Sequence, residues 1–240
     1  MIVLRDVHKS FGEKHVLRGL SLDIPAGENT VVIGYSGTGK SVLLKCIIGL
    51  LRPDRGEVLV DDAAVQEMDR EELAGLRARV GYVFQSAALF DSLSVADNIR
   101  LGLRRRGMED EEMDGRVRES LEVVDLAGTG DRFPAELSGG MRKRVGVARA
   151  IALKPSYLLY DEPTTGLDPV TSAVMNNLMV RTRDLGVTGV IVTHDMRSAF
   201  TAGDRIAMLY EGTVRQVGTP DRIRETDDQV VRQFIEGRAE

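Results

Sequence analysis

The stretch Gly34-Tyr35-Ser36-Gly37-Thr38-Gly39-Lys40-Ser41 restricts what this chain can fold into more than any other. An apolar run, Thr30-Val31-Val32-Ile33, precedes it, and a second run from Val42 to Leu50 follows. Strand, glycine-rich loop and helix, with G-x-x-x-x-G-K-[ST] spacing, make a phosphate-binding loop, the Walker A motif. The glycines let backbone N–H groups turn inward around phosphate oxygens. The helix that begins near Lys40 adds its unpaired N–H groups and the positive end of its dipole. Lys40 is placed to reach the β- and γ-phosphates, and Ser41 to bind Mg²⁺. On average composition, a chance match has a frequency of roughly one in a hundred. Alone, the loop says only that the chain binds nucleotide phosphate.

The whole-chain totals narrow the setting. With 240 residues, the chain is long enough to bury a substantial core. Its net charge of −5 argues against a nucleic-acid binder, which needs a basic footprint. It also gives no support for direct contact with an anionic membrane surface. The single cysteine, Cys46, allows no intrachain disulfide and fits a small core residue on an apolar helix face. Met1 to Asp6 lacks the pattern of a signal peptide, and no apolar run approaches a membrane span.

Along the chain, Ile2 to Val7 reads as a strand. Leu20, Leu22 and Ile24 alternate with polar residues as a second, with one buried face. Short strands are expected at Glu57 to Val60 and Val80 to Phe84, with a helix over Glu71 to Arg79 between them. Asp61-Asp62 reads as a turn. From Ser92 to about Ala152 no strand pattern occurs. Ser94 fits a helix cap, and Met113, Val117, Leu121 and Val124 fall at helical spacing as a packed stripe. Arg104-Arg105-Arg106 and Glu109 to Glu112 read as solvated helix faces or loops. Strands return at Tyr157 to Tyr160 and Thr188 to Thr193, with a helix over Val170 to Asp184. A hairpin then turns at Glu211-Gly212. In the tail, Val230, Val231, Phe234 and Ile235 share a helical face, suited to core packing or to a dimer or partner contact.

Two further motifs carry chemistry. Asp161-Glu162 ends an apolar strand, where open α/β sheets place ligand sites. Asp161 fits a Mg²⁺-binding carboxylate, and Glu162 a general base that polarises an attacking water. Exposed acids at a strand end are the plainer alternative. Leu137-Ser138-Gly139-Gly140-Met141 opens a helix: Ser138 is a natural cap, and the glycines allow a phosphate to approach.

Taken in order, these motifs resemble the ATPase subunit of ABC (ATP-binding cassette) transporters, over essentially the whole chain. Gln85 matches the Q-loop glutamine, Gly166-Leu167-Asp168 the D-loop, and His194 the switch histidine. The resemblance implies an α/β P-loop NTPase fold with a RecA-like core, an antiparallel β lobe and a helical lobe inserted at about 86–153. One nucleotide-binding domain would span 1–240, with a helical tail over about 220–240. It implies ATP and Mg²⁺ as ligands. Phe11 would stack on adenine, with a hairpin-core role as its alternative, and Val16 would pack beside the base. Ser36, Gly37, Thr38, Gly39, Lys40, Ser41 and Val42 would hold the phosphates. Ser41, Gln85 and Asp161 would bind the metal, while Glu162, His194, Gln85 and Lys40 would serve catalysis. Ser138, Gly139, Gly140 and Asp168 would contact nucleotide bound mainly by a second copy, in a head-to-tail dimer.

A finer resemblance, carried by Gln85 to Leu93, Ser41 to Lys45 and Met141 to Val145, is to the lipid-transport group of bacterial ABC ATPases, the Mla/MCE type. That group implies a permease, STAS-domain and MCE-domain partners, and a place at the cytoplasmic face of the inner membrane. An importer for polar solutes is the alternative, and a soluble ABC ATPase acting on DNA or ribosomes a more distant one. Asn29, Thr30, Tyr160, Asp62 and Met141 depart from the usual pattern.

Overall fold

The computed structural model describes residues 1–238. In chain order it begins with β1 (Ile2–Phe11), β2 (Lys14–Ile24), β3 (Asn29–Ile33), α1 (Lys40–Ile47), β4 (Arg55–Val60), β5 (Ala63–Ala64), α2 (Arg70–Ala78) and β6 (Val80–Val83). Three helices follow, α3 (Val95–Arg104), α4 (Asp110–Val123) and α5 (Gly139–Ile151). The chain then continues through β7 (Tyr157–Asp161), α6 (Pro169–Asp184), β8 (Thr188–Thr193), α7 (Met196–Ala202), β9 (Arg205–Tyr210) and β10 (Thr213–Gly218). It ends in α8 (Pro220–Arg224) and α9 (Gln229–Glu236).

The strands form two sheets. An antiparallel sheet has the order β2-β1-β4-β5, and a larger one the order β10-β9-β3-β8-β7-β6. Within the larger sheet, β9, β3, β8, β7 and β6 run parallel, with β10 antiparallel at the edge. A parallel sheet covered on both faces needs apolar residues at every position. Accordingly, Val31 and Ile33 face one core while Val32 faces the other. Leu158 and Tyr160 oppose Tyr157 and Leu159 in the same way. The first core extends into α3, α4 and α5. The second fills the space between the two sheets around α1. Cys46 is buried in the second.

Several expectations are refined. β1 and β2 extend to a tight turn between Phe11 and Lys14, beyond the Val7 and Leu20 limits read from alternation. Apart from the buried Leu17, the added residues are exposed or half-buried and largely polar, so apolar patterning does not mark them. The tail is two short helices, broken where Thr226 Oγ1 donates to Gln216 Oε1 (2.5 Å) and Asp228 caps α9. Residues 239–240 of the expected tail lie outside the described residues. Asp61 and Asp62 both adopt positive φ, the geometry a hairpin glycine would supply.

Two of the polar departures, Asn29 and Tyr160, make buried hydrogen bonds. Asn29 is fully buried, and its Nδ2 donates to Met179 O (3.1 Å) and Ala202 O (2.9 Å), tying α6 and α7 to the start of β3. The Tyr160 hydroxyl lies 2.8 Å from Thr182 Oγ1, inside the core. Met141 packs partly buried against the first core.

Candidate active site

Chain geometry brings the phosphate loop to the carboxyl ends of β3, β7 and β8. The loop runs from Gly34 to Gly39. Gly39 has φ 106° and precedes α1 with no side-chain cap, which leaves the first-turn N–H groups of the helix for an anion. A Cβ at Gly39 would lie 2.8 Å from Val16 Cγ1 and 2.9 Å from Leu17 Cδ2, so the loop packs against β2 only as glycine. Thr38 donates its hydroxyl to Tyr35 O (2.9 Å), closing the loop on itself.

Lys40 is buried. Its Nζ donates to Gly34 O (2.7 Å) and Tyr35 O (3.1 Å) and lies 3.6 Å from Glu162 Oε1. Burial pushes its ammonium pKa down, against the opposing pull of the Glu162 carboxylate. Ser41 Oγ donates to Asp161 Oδ1 (2.8 Å), and Tyr82 Oη donates to Asp161 Oδ2 (2.8 Å). Burial, and after it the Asp161 charge, pushes the Tyr82 hydroxyl pKa up, which keeps it a donor.

Glu162 is the centre of the site. It has φ 51°, a strained value for a non-glycine residue, and its N–H donates to Val192 O (2.9 Å). Its side chain is only 13% exposed, and His194 Nδ1 lies 2.8 Å from Oε2. Thr165 Oγ1 donates to the same oxygen (3.1 Å). Lys143 on α5 holds the loop behind, donating to Pro163 O (3.0 Å) and Thr165 O (2.6 Å).

A cavity of about 530 Å³ joins these groups. Its lining comprises Ser36, Gly37, Gly39, Lys40, Ser41 and Val42, together with Glu162, His194 and Gln85, and Phe11 and Val16. Phe11 is 49% exposed, so it is no hairpin-core residue and offers an open ring face. Lys14 lines the cavity too. Lys14, Tyr82, Thr165 and Lys143 were missed from the sequence. Lys143 falls in the Met141 to Val145 stretch and Thr165 follows Glu162 by three residues, but their contacts, and that of Tyr82 with Asp161, depend on the fold.

Six expected residues do not line this cavity. Thr38 lies within the loop and Asp161 behind Ser41, whereas Ser138, Gly139, Gly140 and Asp168 belong to the starts of other helices. Ser138 caps α5 through Met141 N (3.3 Å), and Asp168 caps α6 through Val170 N (2.9 Å) and Thr171 N (3.0 Å). The two glycines differ. Gly139 is exposed, whereas Gly140 is buried and a Cβ there would overlap Thr171 Cγ2. Its missing side chain serves the packing of α5 on α6.

The oxygen donors suit a small hard cation. Ser41 Oγ, the Asp161 carboxylate and the Gln85 amide are ligand types that Mg²⁺ accepts. Among the described residues no group of three or more His, Cys, Asp or Glu could hold a metal ion, so phosphate oxygens would complete its shell.

The fold and site define a P-loop ATPase. The family model for ABC transporters matches residues 17–165. The Mycobacterium leprae protein named as a probable ribonucleotide transport ATP-binding protein is 43% identical over 99% of this chain and 69% of its own. The Arabidopsis thaliana chloroplast protein trigalactosyldiacylglycerol 3 is 43% identical over 99% of this chain and 74% of its own. The dimeric cassette MJ0796, solved in a post-hydrolysis state with ADP and phosphate, superposes with a TM-score of 0.83 at 34% identity, covering 92% of this chain and 99% of that one. The chain belongs to the ABC transporter family. It is an ATP-binding subunit, a Mg²⁺-dependent ATPase of the kind that works in dimers with transmembrane permeases. Among the described residues no helix is long and apolar enough to cross a membrane.

Proposed function

We propose that this ATPase powers movement of phospholipid or another hydrophobic substrate by a membrane transporter. The observation that carries the reading is its 43% identity, over 99% of the chain, to a plant protein named for a galactolipid. The Gln85 to Leu93, Ser41 to Lys45 and Met141 to Val145 stretches agree with it. On this reading the whole chain is one nucleotide-binding domain. It sits at the cytoplasmic face of the inner membrane through its permease, with STAS-domain and MCE-domain proteins in the same assembly.

The geometry supports the following site roles. Phe11 and Val16 take the base. The loop N–H groups, with Lys40 released from the Gly34 and Tyr35 carbonyls, take the phosphates. Ser41, Asp161 and Gln85 hold Mg²⁺, which supplies charge neutralisation at the phosphates. Glu162 accepts the proton of the attacking water, an effect of roughly 10²–10⁴-fold. His194 steadies that carboxylate and reaches the γ-phosphate. Most of the remaining rate comes from positioning and charge stabilisation. Because Ser138 and Gly139 lie outside the cavity, a second copy supplies them across a head-to-tail dimer. ATP binding closes that dimer and loss of the γ-phosphate opens it.

A polar-solute importer is the second reading, favoured by the mycobacterial relative and by a 41% identical sulfate/thiosulfate import protein of Caulobacter vibrioides. Co-purification with the permease, followed by lipid extraction, separates the two. The first predicts bound phospholipid and phospholipid-stimulated ATPase activity. Stimulation by ribonucleotide or sulfate with no bound lipid would reverse the choice.

A further inference from the structure

The apolar stripe of the tail has a use beyond core packing. Val231 of α9 is fully buried, and Val230, Phe234 and Ile235 pack partly buried against the same core. The helix is fixed at its start. Asp228 accepts from Val230 N (2.9 Å) and Val231 N (3.2 Å), and Arg215 Nε donates to its other carboxylate oxygen (2.8 Å). From this anchored helix Phe234 meets Tyr35, the second residue of the phosphate loop. The ring centroids are 4.9 Å apart with an interplanar angle of 78°, an edge-to-face pair. Tyr210, at the end of β9, is a second aromatic neighbour of Tyr35, with ring centroids 6.4 Å apart and an interplanar angle of 61°.

The Tyr35 backbone does the loop's internal work. Its carbonyl accepts from Thr38 Oγ1 (2.9 Å), the bond that closes the loop, and from Lys40 Nζ (3.1 Å), a bond given up when phosphate binds. The ring and that carbonyl belong to one residue, so a ring held by two aromatic neighbours limits how the carbonyl can turn away from Thr38. Phosphate binding needs the loop N–H groups aimed inward before the ligand arrives, because ordering them afterwards costs affinity.

We infer that Phe234 is a positioning residue for the ATPase site: through the Tyr35 ring it holds the phosphate loop in its binding form. It touches neither nucleotide nor reacting atoms. The inference rests on the reading of Gly34 to Ser41 as the phosphate loop. An edge-to-face pair of this kind sets the expected loss at roughly three- to tenfold in ATP affinity.

The test is titration of the full-length chain with a fluorescent ATP analogue, beside thermal unfolding and steady-state ATPase kinetics. Phe234→Leu keeps apolar bulk but removes the ring. It is expected to weaken binding roughly three- to tenfold, raising KM more than it lowers kcat, with Tm nearly unchanged. Phe234→Trp keeps a ring and is expected to bind like the parent. Parent-like affinity in Phe234→Leu would overturn the inference. So would equal losses in both variants accompanied by a fall in Tm, which would mark Phe234 as packing alone. Lys40→Ala is the control. If it binds as well as the parent, the loop reading itself fails, whatever the Phe234 variants do.

Discussion

His194 Nδ1 and Glu162 Oε2 lie 2.8 Å apart, so the residue after β8 and the residue after β7 meet beside the phosphate loop. Lys40 approaches the other Glu162 oxygen at 3.6 Å. One carboxylate is thus held between two nitrogen-bearing side chains, one per oxygen. Glu162→Gln keeps the shape but removes the proton acceptor. Turnover is expected to fall by roughly 10²–10⁴-fold while ATP binding survives, and an ATP-bound dimer should accumulate in size-exclusion chromatography. Full turnover by this variant would remove Glu162 from the role of base.

His194→Ala should act more on rate than on affinity. The side chain is 52% exposed and holds none of the loop, so the fold should be unaffected. A fall in kcat of about tenfold or more, with nucleotide affinity within about threefold, is expected from a group that matters chiefly as the γ-phosphate reacts. Single-turnover hydrolysis beside equilibrium binding measures the two separately.

Ser138→Arg tests whether the site is shared between copies. Ser138 lies outside the cavity that holds Lys40 and Glu162. The variant should bind ATP as a monomer with parent affinity, yet fail to dimerise when combined with Glu162→Gln. Loss of monomer binding would contradict a site completed by a second copy.

Much of this site was legible because its parts lie in short motifs with fixed spacing. Lys40, Ser41, Asp161, Glu162 and His194 each end or follow a strand or open a helix, where side-chain direction is set locally. Lys143 and Tyr82 were not legible. Lys143 reaches the Glu162 loop across the packing of α5 on the core, and Tyr82 reaches Asp161 across a parallel strand pair. Both contacts depend on tertiary placement. The outer halves of β1 and β2 escaped for another reason: residues such as Lys9, Lys14 and His15 form a strand without burying an apolar face. Gly140 was legible as a glycine but not for its cause, which is Thr171 of a helix far along the sequence.

Tyr160→Phe should cost little. It removes the hydroxyl beside Thr182 Oγ1, while Thr182 keeps its bond to Met179 O at 2.9 Å. A loss of about 0.5–1.5 kcal/mol in urea denaturation is expected for one buried neutral hydrogen bond.

Cys46 gives a prediction in pH. Burial pushes its thiol up to about 11, from 9.0. A folded pKa above the unfolded one means that the stability linked to this group is complete below pH 9.0 and is lost as the pH rises to about 11. Cys46→Ala should flatten the parent's decline in stability across that interval. A thiol reagent at neutral pH should label the native chain only as fast as it unfolds.

Gly140 and Thr171 leave no room between α5 and α6 for even a methyl group. Thr171 also donates to Asp168 Oδ2 (2.5 Å), so the signature end of one helix and the cap of the other are joined by two short links. A larger side chain at position 140 would have to push α5 and α6 apart, so this contact sets how closely the two helices approach. On the proposed head-to-tail arrangement, a second copy meets two helix caps, at Ser138 and Asp168, whose spacing depends on one absent methyl group.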